Sequence, residues 1–320
     1  MAEKVGIITS GGDAPGMNAA IRAVTRYGIS LGYQIVGIRR GFKGLLDDEF
    51  ITLTLRSVSG IINSGGTILH TGRCPEMKTK TGMNRAVKTI KELGLCGLII
   101  IGGDGSLAAG HALSKRGIKV INIPASIDND IYGTDETVGY DTAVNTAVEA
   151  IDKIRDTATS HDRIFIVEVM GREHGFLTLD VGIAAGCEFI VVPEMKYDIK
   201  KLADELIRGK ERGKTSEIIA FAEGVGSSVD FAKKIEKMTG LEVRVSNLGY
   251  IQRGGRPTAR TRILASKFGF MAIHLFHKKK YNMLIGMTDG KASCMPIPRA
   301  IKCEKSFNEK ELKILRNLSI

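Results

Sequence analysis

Leu98-Ile99-Ile100-Ile101-Gly102-Gly103-Asp104-Gly105-Ser106, followed after a helical stretch by Val120-Ile121-Asn122-Ile123-Pro124-Ala125-Ser126-Ile127-Asp128-Asn129-Asp130, decides the fold. Each segment is a short, unbroken apolar run that ends in a turn carrying an acid. Runs of this kind, separated by a helix, are the mark of a parallel sheet covered on both faces. Ligands of such sheets bind beyond the carboxyl ends of the strands. If the two strands are neighbours, Asp104 and Asp128 reach one crevice from adjacent turns. An acid embedded in glycines suits a metal–phosphate complex, and the second acid is free to handle a proton. Together they point to phosphoryl transfer.

The same pattern extends in both directions. Strands are expected at Val5–Ile8, Gln34–Ile38, Leu98–Ile101, Val120–Ile123, Ile164–Val169, Phe189–Val192, Ile218–Ala222 and Glu242–Leu248. Helices are expected at Met17–Leu31, Arg85–Leu93, Leu107–Lys115, Val138–Thr157, Ile199–Arg208 and Ala259–Phe276. Alternation of this kind means an α/β architecture. The long helix from Val138 bridges into a second domain, and the chain crosses back after Gly254-Gly255-Arg256-Pro257, where Pro257 suits the first turn of a helix.

Composition narrows the function classes. The 320 residues are 43% hydrophobic and 25% charged, enough for two domains of ordinary size. No apolar run approaches the roughly 18 residues that a membrane helix needs. Met1-Ala2-Glu3-Lys4 leads straight into a strand without a signal-peptide pattern, so a cytoplasmic protein without membrane contact is expected. Five scattered cysteines and six dispersed histidines argue against a disulfide framework or a zinc site. The net charge of +11 could serve nucleic acid. However, the one dense run, Lys278-Lys279-Lys280, reads as a solvated loop, and aromatics do not interleave with the basic residues. Arginines serving anionic small molecules are the better reading, with no nucleic-acid partner.

Three motifs carry the chemistry. Thr9-Ser10-Gly11-Gly12-Asp13-Ala14-Pro15-Gly16-Met17-Asn18 is a glycine-rich strand-to-helix turn, whose backbone N–H groups can close on a phosphate. The Gly102–Ser106 turn can be forced onto a dinucleotide fingerprint, but Asp104 inside it would repel a pyrophosphate unless a divalent cation lay between them. A dinucleotide-dependent dehydrogenase therefore requires Asp104 to face away. Asp128 follows a buried strand and is the candidate general base. Arg73, Arg163, Arg172, Arg244 and Arg253 sit at turns or strand ends, where a planar guanidinium can fork onto phosphate.

Gly11–Asn18, Gly102–Ser106, Ser126–Asp130, Glu168–Arg172 and Ile251–Gly255 resemble, in order, the signature blocks of the ATP-dependent, bacterial-type 6-phosphofructokinase family. The resemblance runs over nearly the whole chain and fades after Ser293. It implies two similar three-layer αβα domains with mostly parallel sheets and the active site in the cleft between them. The ATP-binding domain would be 1–140 plus 255–305, and the fructose 6-phosphate-binding domain 141–254 plus 306–320.

By the same resemblance, ATP with Mg2+ would lie on Gly12, Arg73, Cys74, Gly103, Asp104, Gly105 and Ser106, with Asp104 on the metal. Fructose 6-phosphate would contact Ser126, Ile127, Asp128, Met170, Gly171, Arg172, Glu223, Tyr250, Ile251, Gln252 and Arg253. Arg163 and Arg244 would reach it from a neighbouring subunit of a homotetramer. Asp128 would take the proton from the 1-hydroxyl, while Arg73, Arg172 and Ser126 complete the catalytic set. An allosteric site for a nucleotide and phosphoenolpyruvate would use Arg22, Arg26, Arg155, Gly186, Glu188, Arg212 and Lys214. Leu55 and Arg56 depart from that site's pattern, and Ser126, Tyr250 and Ala109 depart from the active site's.

Diphosphate-using members typically carry aspartate at 105 and lysine at 125, whereas this chain has Gly105 and Ala125, so ATP is the expected donor. The alternatives are a diphosphate-dependent enzyme or a non-catalytic regulatory paralogue. Cys74 is expected to be a buried, inert thiol.

Overall fold

The structure, a computed structural model, describes residues 2–307. It divides into two compact units. Among the described residues, the first comprises 2–142 and Arg253–Lys305, and the second Ala143–Gln252 with Ser306 and Phe307. Of the tail expected in the second domain, residues 308–320 lie outside the described residues.

The first unit is built on β1 (Lys4–Ser10), β2 (Gln34–Ile38), β3 (Phe50–Leu53), β4 (Leu95–Gly102), β5 (Val120–Ser126) and β6 (Val138–Gly139), joined late in the chain by further strands. The second unit contributes β7 (Ile164–Val169), β8 (Phe189–Val191), β9 (Glu217–Ala222) and β10 (Val243–Asn247). The first unit then resumes with β11 (Met283–Thr288) and β12 (Lys291–Pro296). Its sheet runs β12-β11-β5-β4-β1-β2-β3, with β6 pairing the end of β5. Only the outer pairs β11–β12 and β2–β3 are antiparallel.

Side-chain alternation sorts the helices onto the two faces of this sheet. Leu98 and Ile100 of β4 join Ile8 and Val120 in a core closed by helices Phe42–Leu46, Lys80–Glu92, Asp104–Ser114 and Ile297–Lys302. On the opposite face lie helices Met17–Ser30 and Ala259–His277. A Cβ at Gly97 of β4 would press on Phe276 at 2.6 Å. Gly269 lets those two helices close together, because a Cβ there would stand 2.7 Å from the carbonyl oxygen of Ala20. Each fully buried isoleucine or leucine in these layers stabilises the fold by about 1.5–3 kcal/mol.

The second unit repeats the plan on a smaller, wholly parallel sheet ordered β10-β7-β9-β8. Ile166, Ile219 and Phe221 pack on helices Ile199–Glu211 and Ser228–Thr239. Ala220 and Ile190 face helix Phe176–Ala184 on the other side, at Gly182. Both units are therefore α/β layers of the expected class.

Several expectations need correction. Val138 does not open the long helix: Val138–Gly139 pairs with Ala125 and Ser126, and the helix runs Tyr140–Ser160. Gly139, at φ 106°, makes the bend between them. Pro257 precedes the first turn, since Thr258 is the N-cap of helix Ala259–His277 and its hydroxyl accepts the Thr261 N–H. Four helices were not anticipated: Phe42–Leu46, Phe176–Ala184, Ser228–Thr239 and Ile297–Lys302. Nor were β3, β6 and the β11–β12 hairpin.

Candidate active site

Strands β1, β4 and β5 are adjacent and parallel, so Ser10, Gly102 and Pro124 stand side by side at their carboxyl ends. The three motif turns of the first unit thus leave from one edge of one sheet. Ser106 ties the first two together, donating its hydroxyl to the Ser10 carbonyl at 3.0 Å. A Cβ at Gly103 would lie 3.7 Å from Ser126, which puts the second and third turns in contact.

Asp104 is not inside the glycine turn. It is the first residue of helix Asp104–Ser114, whose N-cap is Gly103. A carboxylate at a helix N-terminus is favoured by the helix dipole, while its repulsion of a phosphate chain still calls for a cation between them. Asp104 and Gly105 are both exposed, and a Cβ at Gly105 would meet nothing within 4 Å. That is open room over a helix N-terminus beside a carboxylate. Among the described residues no group of three or more His, Cys, Asp or Glu side chains could hold a metal by itself. A cation here would need oxygens from its ligand as well as Asp104, which fits magnesium carried by a phosphate chain.

Arg73 and Cys74 lie on a loop held against the first turn. Thr71 donates its hydroxyl to the Gly11 carbonyl at 2.7 Å, and Thr9 donates to His70 O at 2.9 Å. Arg73 is exposed. Cys74 is half-buried, not buried as expected. Burial, followed by the neighbouring Glu76 carboxylate, raises its pKa, so it is held as an unreactive thiol. The Arg253 guanidinium sits against Gly12, where a Cβ would collide with it. This brings a residue expected at the sugar phosphate to the glycine-rich turn.

Asp128 is 2% exposed, and its backbone N–H donates to the Ser126 hydroxyl at 3.1 Å. Ile127 beside it is buried. Asn129 follows with φ 53°, an unusual value for a residue with a side chain.

The second unit gathers its own constellation. Glu223 accepts the backbone N–H groups of Gly171 at 3.0 Å and Arg172 at 2.5 Å. This clamps a turn in which Gly171 has φ 148° and Arg172 φ 55°. Gln252 accepts the Met170 N–H at 3.3 Å. Tyr250 and Ile251 are 81% and 56% exposed. Arg163, just before β7, and Arg244, on the neighbouring β10, share one acid: Arg163 Nε donates to Glu242 at 2.9 Å and Arg244 pairs with its other oxygen. The two arginines hold the Glu242 carboxyl below its ordinary pKa. Glu242 was not among the expected site residues, although its place two residues before Arg244, at the start of β10, was a usable signal.

Of the expected effector residues, Arg155 and Glu188 form an ion pair at 3.2 Å, and Arg155 also donates to the Gly186 carbonyl at 2.9 Å. Glu188 accepts the Ile218 N–H at 2.7 Å. Next to it lies Glu217, which the sequence reading did not flag. It is 4% exposed and pushed up to about 7 by burial, with Lys214 and Lys210 opposing and Glu188 reinforcing the shift. Arg212 is exposed. Arg22 and Arg26, four apart on helix Met17–Ser30, belong to the first unit.

The sequence profile of the family described as Phosphofructokinase matches residues 4–276. An ATP-dependent 6-phosphofructokinase of Clostridium tetani is 49% identical over 316 residues, covering 99% of both chains. One from Clostridium botulinum (strain Hall) is 46% identical over 315 residues, 98% of this chain and 99% of its own. Phosphofructokinase of Pichia pastoris, solved in the T-state, superposes with a TM-score of 0.89 at 34% identity. The match covers 94% of this chain, which spans only 36% of that larger one. A pyrophosphate-dependent phosphofructokinase from Marinobacter aquaeolei has a TM-score of 0.85 at 19% identity over 96% of this chain and 86% of its own, a likeness of fold. The chain belongs to the phosphofructokinase family.

Proposed function

We infer that the protein transfers the γ-phosphoryl group of ATP to the 1-hydroxyl of fructose 6-phosphate, giving fructose 1,6-bisphosphate and ADP. The observation that carries this reading is the pair of acids on adjacent strand ends, one exposed at a helix N-terminus and one buried. Curated relatives named for this reaction, at 46–49% identity over almost the whole chain, support it.

Asp128 accepts the proton of the 1-hydroxyl as that oxygen bonds to the γ-phosphorus and the bond to the ADP oxygen breaks. Burial suits this acid to the task by keeping bulk water away from the proton transfer. The Ser126 hydroxyl fixes the Asp128 backbone. Asp104 would hold Mg2+ that travels with ATP and neutralises charge on its phosphates. The N–H groups of the Gly11–Gly12 turn and of Gly103–Ser106 receive the phosphate chain. Arg73 and Arg172 offset charge developing on the transferred group. Arg172 is presented by the Glu223 clamp, so Glu223 acts first on the backbone.

Open space at Gly105 favours ATP over diphosphate, because a side chain there would occupy room beside the nucleotide's phosphates. The Arg163–Glu242–Arg244 cluster, exposed at the end of its sheet, suits the phosphate of a sugar bound by a second subunit, as a homotetramer would place it. The Arg155–Glu188 pair with Gly186, Arg212 and Lys214 suits an allosteric diphosphate or phosphoenolpyruvate. All five cysteines are free thiols, which fits a reducing cytoplasm. Among the described residues no helix is long and apolar enough to cross a membrane. A coupled assay with fructose 6-phosphate, Mg2+ and either ATP or diphosphate tests the reading: turnover with ATP is expected.

A further inference from the structure

The turn that bears Asp128 is fastened on both sides to one buried residue that no motif contains. Before the acid, the Thr137 hydroxyl donates to the Ser126 carbonyl at 2.5 Å. After it, the Thr137 backbone N–H donates to Asn129 Oδ1 at 3.1 Å. The Asn129 amide then donates to the Asp135 carbonyl at 3.1 Å, closing the circuit. Thr137 is fully buried and Asn129 nearly so.

The segment behind this clasp is itself anchored. Asp135 N–H donates to Met287 O at 2.7 Å, and Met287 N–H to the Thr134 hydroxyl at 3.1 Å, both on β11 of the same sheet. β6 adds the pairings Ala125–Val138 and Ser126–Gly139. Asn129 meanwhile holds a left-handed backbone, which costs about 1 kcal/mol or more unless its surroundings enforce it. Both of its amide atoms are used in that enforcement.

We propose that Thr137 and Asn129 are positioning residues: their clasp sets where the Asp128 carboxylate stands relative to the attacking hydroxyl. The proposal rests on Asp128 being the base. A clasp acting through the base governs the chemical step and leaves substrate affinity to the phosphate-binding groups. Loss should therefore fall on kcat and spare KM.

The test compares Thr137→Val, Thr137→Ser, Asn129→Gly and Asp128→Asn by steady-state kinetics, each normalised to folded protein. Valine keeps the shape of threonine without the hydroxyl, serine keeps the hydroxyl, and glycine keeps the left-handed backbone without the amide. Thr137→Val and Asn129→Gly should lose about 10- to 100-fold in kcat, with both KM values within about threefold. Thr137→Ser should recover kcat to within about threefold of wild type. Should Thr137→Val not accumulate as folded protein, Asn129→Gly carries the same comparison. Wild-type kcat in Thr137→Val or Asn129→Gly beside an inactive Asp128→Asn overturns the clasp and leaves the base standing. Equal loss in Thr137→Ser and Thr137→Val overturns it too, because the hydroxyl would then be irrelevant. Near-normal turnover in Asp128→Asn overturns the base assignment itself.

Discussion

On the proposed reading, Gly105 carries a donor preference by what it lacks. It lies in the first turn of a helix with ordinary backbone angles and nothing within 4 Å of a would-be Cβ, so the fold tolerates a side chain there. Gly105→Asp should therefore leave the melting temperature nearly unchanged while lowering kcat/KM for ATP by about a hundredfold or more, through crowding and repulsion of the phosphates. Equal ATP kinetics in that variant would remove Gly105 from the donor site. Arg172 and Asn129 show what motifs cannot. Both lie within recognisable blocks, and the sequence gives their type and order. The partners that hold their left-handed backbones, Glu223 and Thr137, lie outside those blocks, 51 and eight residues further along the chain. Spacing within a motif carries no trace of such clamps. The places of Asp104 and Asp128 were legible because they follow strand ends, which hydrophobic runs mark directly.

Strands were legible where a short apolar run ends in a turn, and helices where one face differs from the other. Gln34–Ile38 and Ile164–Val169 match their expected bounds, and the helix of Met17–Ser30 differs by one residue. Helix Phe176–Ala184 was missed because it is apolar nearly all round and shows no stripe. The hairpin of β11 and β12 had its signal in plain view: Asp289-Gly290 takes φ 51° and 71°, the turn that an Asp-Gly pair favours. Helix contacts give a stability prediction. Gly269→Ala should destabilise by about 1–3 kcal/mol, because its methyl would press on Ala20 and Ala23 at 2.7 and 2.8 Å. Chemical denaturation reads that loss; an unchanged midpoint would mean the two helices can separate freely.

Strand β9 carries a pH dependence through Glu217. Its folded pKa of about 7 lies above the ordinary 4.5, so the folded state prefers the protonated acid. The contribution is fully present below pH 4.5 and is lost as pH rises toward and through 7, amounting to about 3 kcal/mol. Glu217→Gln should flatten the stability profile across that window and be the more stable protein at pH 8. A wild-type profile flat from pH 4.5 to 8, identical to the variant's, would place Glu217 in contact with water.

For the molecule as a whole, alternation of strand and helix gave the α/β class, and five ordered motif blocks gave the family. Composition could not give the chemistry, since a charge of +11 is shared by many binders of anions. The fold brings β1, β4 and β5 together so that the glycine-rich turn, Asp104 and the buried Asp128 issue from one sheet edge. On the proposed reading, that convergence is what brings donor and acceptor together. The most direct test supplies purified protein with fructose 6-phosphate and Mg2+, and follows fructose 1,6-bisphosphate with either ATP or inorganic diphosphate as donor. Product should form with ATP and not with diphosphate; turnover with diphosphate alone, or with neither donor, would contradict the account.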